Sequence, residues 1–324
     1  MTAEFLRPDE WRDLTRVERW LSDGNVPDSY LGDPGDSDTP LHRAVRFGTP
    51  DAVAALVARA REVDLPDEFG HTPLWSAVAH GQADSVRALL AAGADPWRPG
   101  VDHWTPGRLA LTTELAPLFE ELPGAVPLTA AERREQERAD RLIAVFGERE
   151  LFTEGLDVTF VAGLDEDAVI RRLGADPADF PVRAQDQADL EELTYGRAAF
   201  GLTGVTGGCM ISGLYAAAPD HKDAQRRISR GTTAYHVFFN PKGGTFGTRY
   251  RDGAEDAYEE IGLSPFPGTP AGHWLYRFWQ RSGRFPYGAN VLAYACAAGG
   301  ITEPENAWGL SVGPRRMVVP PPRS

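Results

Sequence analysis

The chain is poor in cysteine, lysine and long apolar runs. Its 324 residues include 2 cysteines, Cys209 and Cys296, and lysine occurs only at Lys222 and Lys242. Two distant cysteines fit a reducing cytosol better than a disulfide framework, and we expect both to be small buried apolar residues. No run approaches the roughly 18 apolar residues of a membrane span. Residues 1–10 carry three acids and no apolar segment, which predicts a cytoplasmic protein without a secretory signal or membrane partner.

Basic residues are outnumbered, and the net charge of −14 is unevenly distributed. Residues 1–128 contain 21 acids and 11 arginines, a net charge of −10, whereas the remainder has 26 acids against 22 bases, a net charge of −4. An acidic surface repels phosphate groups, so nucleic acid is not an expected partner. The charge favours a protein partner with a basic patch.

The motifs of the common catalytic and metal sites are also missing. The sequence has no Gly-x-Ser-x-Gly elbow, no His-Glu-x-x-His and no paired Cys-x-x-Cys. No Lys-Ser/Thr follows the glycine-rich residues 201–208, which favours strand ends and a tight turn over a phosphate-binding loop. We therefore predict no catalytic residue, metal ligand or cofactor. The alternative is an enzyme in which Cys209 is the nucleophile and His236 the base.

A 33-residue period is the clearest pattern present. Thr39-Pro40-Leu41-His42 recurs as Thr72-Pro73-Leu74-Trp75 and, degraded, as Thr105-Pro106-Gly107-Arg108. Each threonine is placed to cap a helix whose first turn accepts the following proline. A unit of this size cannot bury its own apolar face, so neighbouring units must stack and leave an extended surface for a partner.

These residues resemble the ankyrin repeat. The middle unit carries nearly all of the signature: Asp67, Gly70, Thr72-Pro73-Leu74, Ala77, Gly81, Val86, Leu89-Leu90 and Gly93-Ala94-Asp95. The resemblance implies an all-α solenoid of about four units over residues 1–123, with atypical units at its ends. His42 and Trp75, which occupy the signature's histidine position, are expected to have structural and packing roles.

Ankyrin-like proteins bind partners through hairpin tips and the inner face of their first helices. Carried over by position, the resemblance implies a partner-binding surface made of Asp36, Asp38, Arg46, Phe47, Glu68, Phe69, His71, His80, Asp102 and Trp104. Large flat side chains often anchor partners, which favours binding roles for Phe69, His71 and Trp104. The alternative is that these three fold back onto a neighbouring unit or onto the rest of the chain.

Residues 124–148 are predicted to be a linker and a connecting helix. Two prolines and a glycine in residues 122–127 mark the boundary, and Thr129 with Glu132 forms a capping box. The helix is expected to run to about Phe146, with an apolar stripe that docks onto a second domain.

Residues 149–312 are predicted to form an α+β domain with a mainly antiparallel sheet. Strand patterns cover residues 158–161, 199–203 and 209–216, and helix patterns cover residues 165–173 and 223–229. A hairpin is predicted from residues 232–239 and 245–251, which flank a Pro/Gly turn. The proline-rich residues 313–324 are expected to be an extended, frayed tail.

Several phrases in this half are similar to an uncharacterised domain family common in actinobacterial proteins. They are residues 157–165 leading into residues 171–174, and residues 229–232 leading into the hairpin. Where that family often has Gly-Gly-Trp, this chain has Gly207-Gly208-Cys209. The resemblance implies no activity.

The sequence as a whole predicts a non-enzymatic protein-interaction protein, with an immunity or antitoxin role as the favoured example. The alternative is an enzyme or a small-ligand sensor whose site lies in the α+β domain.

Overall fold

The computed structural model describes residues 6–30, 38–67, 70–100, 104–146, 157–182, 199–214, 220–240, 244–261, 289–302 and 316–319. These residues separate into two units, one ending at Arg133 and the other beginning at Arg134.

The first unit is helical. Its α-helices are α1 Leu14–Ser22, α2 Pro40–Phe47, α3 Pro50–Val57, α4 Pro73–Ala79, α5 Ala83–Ala91 and α6 Pro106–Ala110. Short 3-10 helices cover Glu10–Arg12 and Ala116–Leu118. The inner helices α2, α4 and α6 contact one another in order, and the outer helices α1, α3 and α5 do the same. This arrangement is the predicted solenoid.

The inner helices begin as the repeated Thr-Pro predicts. Thr39, Thr72 and Thr105 each accept the backbone N–H three residues further along, and a proline follows each of them. Gly81 follows α4 with a φ of 66°, in the left-handed region where glycine carries no side-chain penalty. Local chemistry therefore explains the ends of these helices.

Apolar side chains at helical spacing fill the core of the stack. Val53 and Leu56 of α3, and Val86 and Leu89 of α5, are fully buried. The third unit shortens after α6, as expected for a repeat at the end of a stack.

Helix α7, Ala130–Phe146, starts at the predicted capping box. Glu132 accepts the backbone N–H of Thr129 at 2.7 Å, and Thr129 accepts that of Glu132 at 3.2 Å. Leu142 and Phe146, on the predicted stripe, are buried in the core of the second unit.

The second unit is built on an antiparallel sheet. The strands are β1 Asp157–Ala162, β2 Phe200–Val205, β3 Gly208–Ser212, β4 Thr233–Asn240, β5 Gly244–Arg251, β6 Ala254–Ile261 and β7 Arg316–Val318. The helices are α8 Glu166–Arg172, α9 His221–Ile228 and α10 Ala289–Ala298, with a 3-10 turn at Pro177–Asp179.

The strand order is β6-β5-β4-β1-β3-β2-β7, and every neighbouring pair is antiparallel. One face packs Phe160 and Tyr235 against α7 and α10. The other packs Val161 and Ile211 against α8 and α9. The fold is thus an α-helical repeat solenoid followed by an α+β unit, as the sequence predicts.

The sheet is wider than predicted. The sequence patterns predict neither strand β6 nor helix α10. For β6 the reason is composition, because the acid-rich residues 254–261 do not favour a strand. Residues 316–318, assigned to a frayed tail, instead pair with β2 as an edge strand. Strand β3 also ends at Ser212, four residues before the predicted end.

Candidate protein-interaction surface

Two repeat hairpins are closed at the base by a hydrogen bond that recurs at the 33-residue period. Asp67 N–H donates to the carbonyl of His71 at 2.8 Å, and Gly100 N–H donates to the carbonyl of Trp104 at 2.7 Å. The Asp67 carboxylate also accepts the backbone N–H of His71 at 2.8 Å. Burial raises the pKa of this carboxyl, but the interactions with His71 outweigh it and hold the pKa below its usual range.

Hydrogen bonds of the His42 ring connect the ankyrin repeat that contains α2 to the next repeat. Its Nδ1 accepts the backbone N–H of Thr39 at 3.3 Å, which leaves the ring proton on Nε2. Nε2 lies 3.0 Å from the carbonyl oxygen of His71 and donates to it. Burial lowers the pKa of His42, in keeping with a neutral ring. The expected structural role of His42 is therefore confirmed.

Within the second ankyrin repeat, the imidazole of His71 packs against the indole of Trp75. The His71 ring stacks on Trp75 with centroids 5.0 Å apart and an interplanar angle of 2°. Trp75 is buried in the core, so its predicted packing role is confirmed.

Residues 12–99 match the family model for ankyrin repeats, in three copies. They form ankyrin repeats. Ankyrin repeats are a protein-protein interaction module, and residues 12–99 are a module of this kind. No curated protein matches the chain. The similarity of residues 150–300 to the actinobacterial domain family stays a prediction.

Three of the residues predicted to line the ankyrin surface are buried. Trp104 is 6% exposed, His71 9% and Asp38 8%. For His71 and Trp104 this favours the packing alternative, because their backbones close hairpins and their rings are largely covered. Asp36, Glu68, Phe69 and Asp102 lie outside the described residues.

The Asp38 carboxylate contacts two arginine side chains of α2. Its carboxylate accepts two hydrogen bonds from the Arg46 guanidinium, at 2.9 and 3.3 Å. It also forms an ion pair with Arg43 at 3.0 Å. Sequence reasoning missed Arg43, although its i, i+3 spacing from Arg46 on the helix after Asp38 was a usable signal.

Arg46, Phe47 and His80 are the partly exposed members of the predicted surface, and we call them the inner patch. The Arg46 guanidinium carbon lies 5.8 Å from the centre of the Phe47 ring. His80 Nδ1 lies 2.7 Å from the Ser76 carbonyl oxygen. Burial, and secondarily the charge of Arg46, lower the pKa of His80. The end of α2 thus pairs a guanidinium with a phenyl ring, and the end of α4 places an imidazole where the charge of Arg46 acts on it.

The last ankyrin unit is completed by polar contacts. Trp97 Nε1 donates to the carbonyl of Pro123 at 2.7 Å, and Arg108 donates to Glu132 at 2.5 and 2.6 Å. Burial raises the pKa of Glu132, but the bonds from Thr129 and Arg108 outweigh it and lower the pKa to about 2.

In the second unit, Cys209 and His236 do not form a nucleophile–base pair. Cys209 lies on β3 and His236 on β4, and β1 runs between these strands. Two strand spacings separate the residues by about 10 Å. Cys209 is fully buried, with Sγ 3.2 Å from the carbonyl oxygen of Leu164. Burial, with Glu166 and Asp165 nearby, raises the pKa of its thiol to about 12.

His236 has a different partner. Its Nε2 lies 3.0 Å from Asp157 Oδ1, and the His221 ring lies 6.4 Å away. These residues come from β4, β1 and α9, and no sequence motif predicts that they lie close together.

The glycine-rich residues line an open cleft of about 820 Å³. Its walls include Gly204, Gly207 and Gly208, the acidic start of α8, and Arg316. Gly204 N–H donates to Glu166 at 2.7 Å, and Arg316 binds Asp167. The prediction of strand ends and a tight turn is confirmed, since these residues connect β2 to β3.

Among the residues that the structure describes, no group of three or more His, Cys, Asp or Glu side chains is placed to hold a metal ion. No described helix combines the length and apolarity that crossing a bilayer requires.

Proposed function

We propose that the protein binds a protein partner through the concave side of its ankyrin stack, with the inner patch as a central contact. The observation that carries this proposal is the contact between Arg46 and Phe47 at the end of α2, with the partly exposed His80 at the equivalent position one period later, after α4. Arginine and aromatic side chains supply much of the binding energy of protein interfaces. The hairpin residues Asp36, Glu68, Phe69 and Asp102 complete the proposed surface.

The inner patch is held in place before a partner arrives. Two hydrogen bonds to Asp38 restrain Arg46, and the Phe47 ring lies beside the guanidinium. Restraining a long side chain in advance lowers the conformational entropy that binding removes. Asp38 is thus proposed to position Arg46, and not to touch the partner itself.

The proposed partner carries a basic surface, and the proposed role is that of an immunity or antitoxin protein in the cytoplasm. Residues 1–128 have a net charge of −10, and complementary charge accelerates encounter with a basic protein. A protein that acts by covering a partner needs an interaction surface and no chemistry, which agrees with the lack of common catalytic motifs in the sequence.

The test is affinity capture from the source cells with the full chain and a double variant, Arg46→Ala with Phe47→Ala. We expect the wild type to enrich a protein that the double variant loses. The matched control is Asp84→Ala with Arg87→Ala, which removes an exposed ion pair from the outer helix α5 and should leave capture unchanged. Equal capture by wild type and the double variant would remove the inner patch from the interface.

A second candidate function is sensing of a small ligand in the cleft of the second unit. The cleft combines three successive acids, Asp165, Glu166 and Asp167, with backbone groups of the glycine-rich residues. Its proposed ligands are small cations such as primary amines. A thermal-shift screen of such compounds, repeated on Glu166→Gln, tests it, and a screen in which none raises the melting temperature argues against this candidate.

A further inference from the structure

Among the described strands, β6 is the longer of the two at the edges of the sheet. Strand β6 has eight residues and ends the strand order, with β5 as its partner among the described strands. The opposite edge strand, β7, has three residues. An edge strand presents backbone N–H and C=O groups that another extended chain can pair with.

A row of near-parallel rings runs from β4 across β5 to β6 and ends on this edge. His236 and Phe238 lie 5.5 Å apart at 17°, Phe238 and Phe246 lie 5.5 Å apart at 28°, and Phe246 and Tyr258 lie 5.8 Å apart at 14°. Tyr258, the last ring, is 48% exposed. A side chain on a further strand would lie next to Tyr258, as Tyr258 lies next to Phe246.

The charges of β6 indicate that a side chain next to Tyr258 on a further strand would be basic. The strand contains four acids and no basic residue. Glu255 pairs with Lys222 at 3.5 Å, and Asp256 pairs with Arg249 at 2.8 Å. Among the described residues Glu260 has no ion-pair partner, and it lies two positions from Tyr258 on the same side of the strand.

We propose that β6 is a docking edge for an extended, arginine-bearing segment of another protein, which adds an eighth strand to the sheet. An arginine of this segment stacks on Tyr258 and pairs with Glu260, because a guanidinium suits both an aromatic face and a carboxylate. A second copy of the chain is a poor occupant, since its own β6 would bring acids against acids. This site lies in the second unit and does not depend on the role proposed for the ankyrin stack.

The edge is firmly anchored on its inner side. Glu259 is buried and accepts hydrogen bonds from the hydroxyls of Tyr235 and Tyr294, both at 2.5 Å. These bonds tie β6 to β4 and α10, so a docking segment meets a strand that is already ordered. An ordered edge spares the protein the entropy cost of forming the strand on binding.

The probe for the test is a fluorescent peptide of about eight residues, the length of an ordinary strand, with alternating arginine and valine and one central tyrosine. Fluorescence anisotropy measures its binding to the full-length protein. We expect saturable binding that Tyr258→Ala weakens by about tenfold and Glu260→Gln weakens severalfold. Hydrogen exchange of the β6 amides should slow when the peptide is bound. Tyr30→Ala, at a tyrosine of the first unit that is 51% exposed, is the matched control and should bind as the wild type does.

Two further peptides separate strand pairing from simple charge attraction. A peptide N-methylated at alternate residues keeps its charge but cannot pair along one edge, and we expect it not to bind. A peptide with glutamate in place of arginine should also fail. The proposal is overturned if the parent peptide does not bind, if the N-methylated peptide binds equally well, or if Tyr258→Ala leaves binding unchanged. A Tyr258-dependent dimer of the chain in light scattering would also overturn it, in favour of a second copy as occupant.

Discussion

His42 Nε2 lies 3.0 Å from the carbonyl oxygen of His71, and this hydrogen bond joins two ankyrin units across 29 residues of sequence. The same ring accepts the N–H of Thr39 through Nδ1, so one side chain both completes a helix cap and fixes the position of the next hairpin. The rigidity of the stack therefore depends on polar contacts at the hairpin bases as well as on the apolar core.

Replacing His42 tests this connection. We expect His42→Ala to lower the free energy of unfolding by about 2–3 kcal/mol, because it leaves the buried Thr39 N–H without a partner, removes one of the two hydrogen bonds to the His71 carbonyl and opens a cavity. Urea unfolding of the full chain at neutral pH measures the change. Arg87→Ala, on the exposed face of α5, is the control and should change the value by less than about 0.5 kcal/mol. A His42→Ala chain as stable as the control would show that the contact contributes little.

Replacing Trp104 distinguishes a packing role of this residue from a partner-binding role. Because its side chain is 6% exposed, we expect Trp104→Ala to cost about 3–5 kcal/mol of stability, the usual range for a large core truncation. Phe47→Ala, in the partly exposed inner patch, should cost far less. Melting curves of the two variants give the comparison. A melting temperature unchanged by Trp104→Ala would restore Trp104 as a candidate anchor for a partner.

Glu259 makes the second unit sensitive to pH. Burial raises the pKa of its carboxyl above the usual range, and the bonds from Tyr235 and Tyr294 offset only part of this. The folded state then holds a proton that the unfolded state releases above about pH 4.3. The associated stability is present below that pH and is lost as the pH rises through the folded-state pKa.

Glu259→Gln removes this titration. We expect the variant to gain stability relative to the wild type as the pH is raised from 4 to 8. Tyr235→Phe, which removes one donor, should cost about 1–3 kcal/mol at neutral pH. Urea unfolding at a series of pH values, followed by circular dichroism, measures both. A difference between Glu259→Gln and the wild type that does not vary with pH would contradict the raised pKa.

The thiols provide a test of the enzyme alternative. Cys209 and Cys296 are both buried, and burial raises the pKa of each thiol. Since the thiolate is the reactive form, iodoacetamide should modify neither residue in the folded protein at neutral pH and both after denaturation. Mass spectrometry of the digested protein locates the label. Rapid modification of native Cys209 would revive its candidacy as a nucleophile.

Much of the first unit follows from local chemistry that a sequence displays directly. The Thr-Pro helix starts, the glycine after α4 and the apolar stripes of α3 and α5 each act within a few residues, so their 33-residue period predicts the stack. The capping box of Thr129 and the hairpin of β4 and β5 could be predicted for the same reason.

The candidate site was only partly predictable. The repeat period predicts which positions face the inner side of the stack, but exposure depends on what neighbouring units cover. His71 and Trp104 occupy equivalent positions one period apart and are both buried, whereas Arg46 and Phe47 remain partly exposed. The sequence pattern does not show how one ankyrin repeat packs on the next.

The sequence by itself determined the repeats, the helix caps and the class of each unit, because these depend on contacts between residues close in the chain. The tertiary structure decided that the acidic residues 254–261 form a strand by pairing them with β5, although the Asp252-Gly253 turn between the two strands, with φ of 49° and 80°, was a local signal for a hairpin. It also brought Asp157 within 3.0 Å of His236, 79 residues away, and tied Glu259 to Tyr294. Such contacts depend on the order of strands in the sheet, which no local pattern encodes.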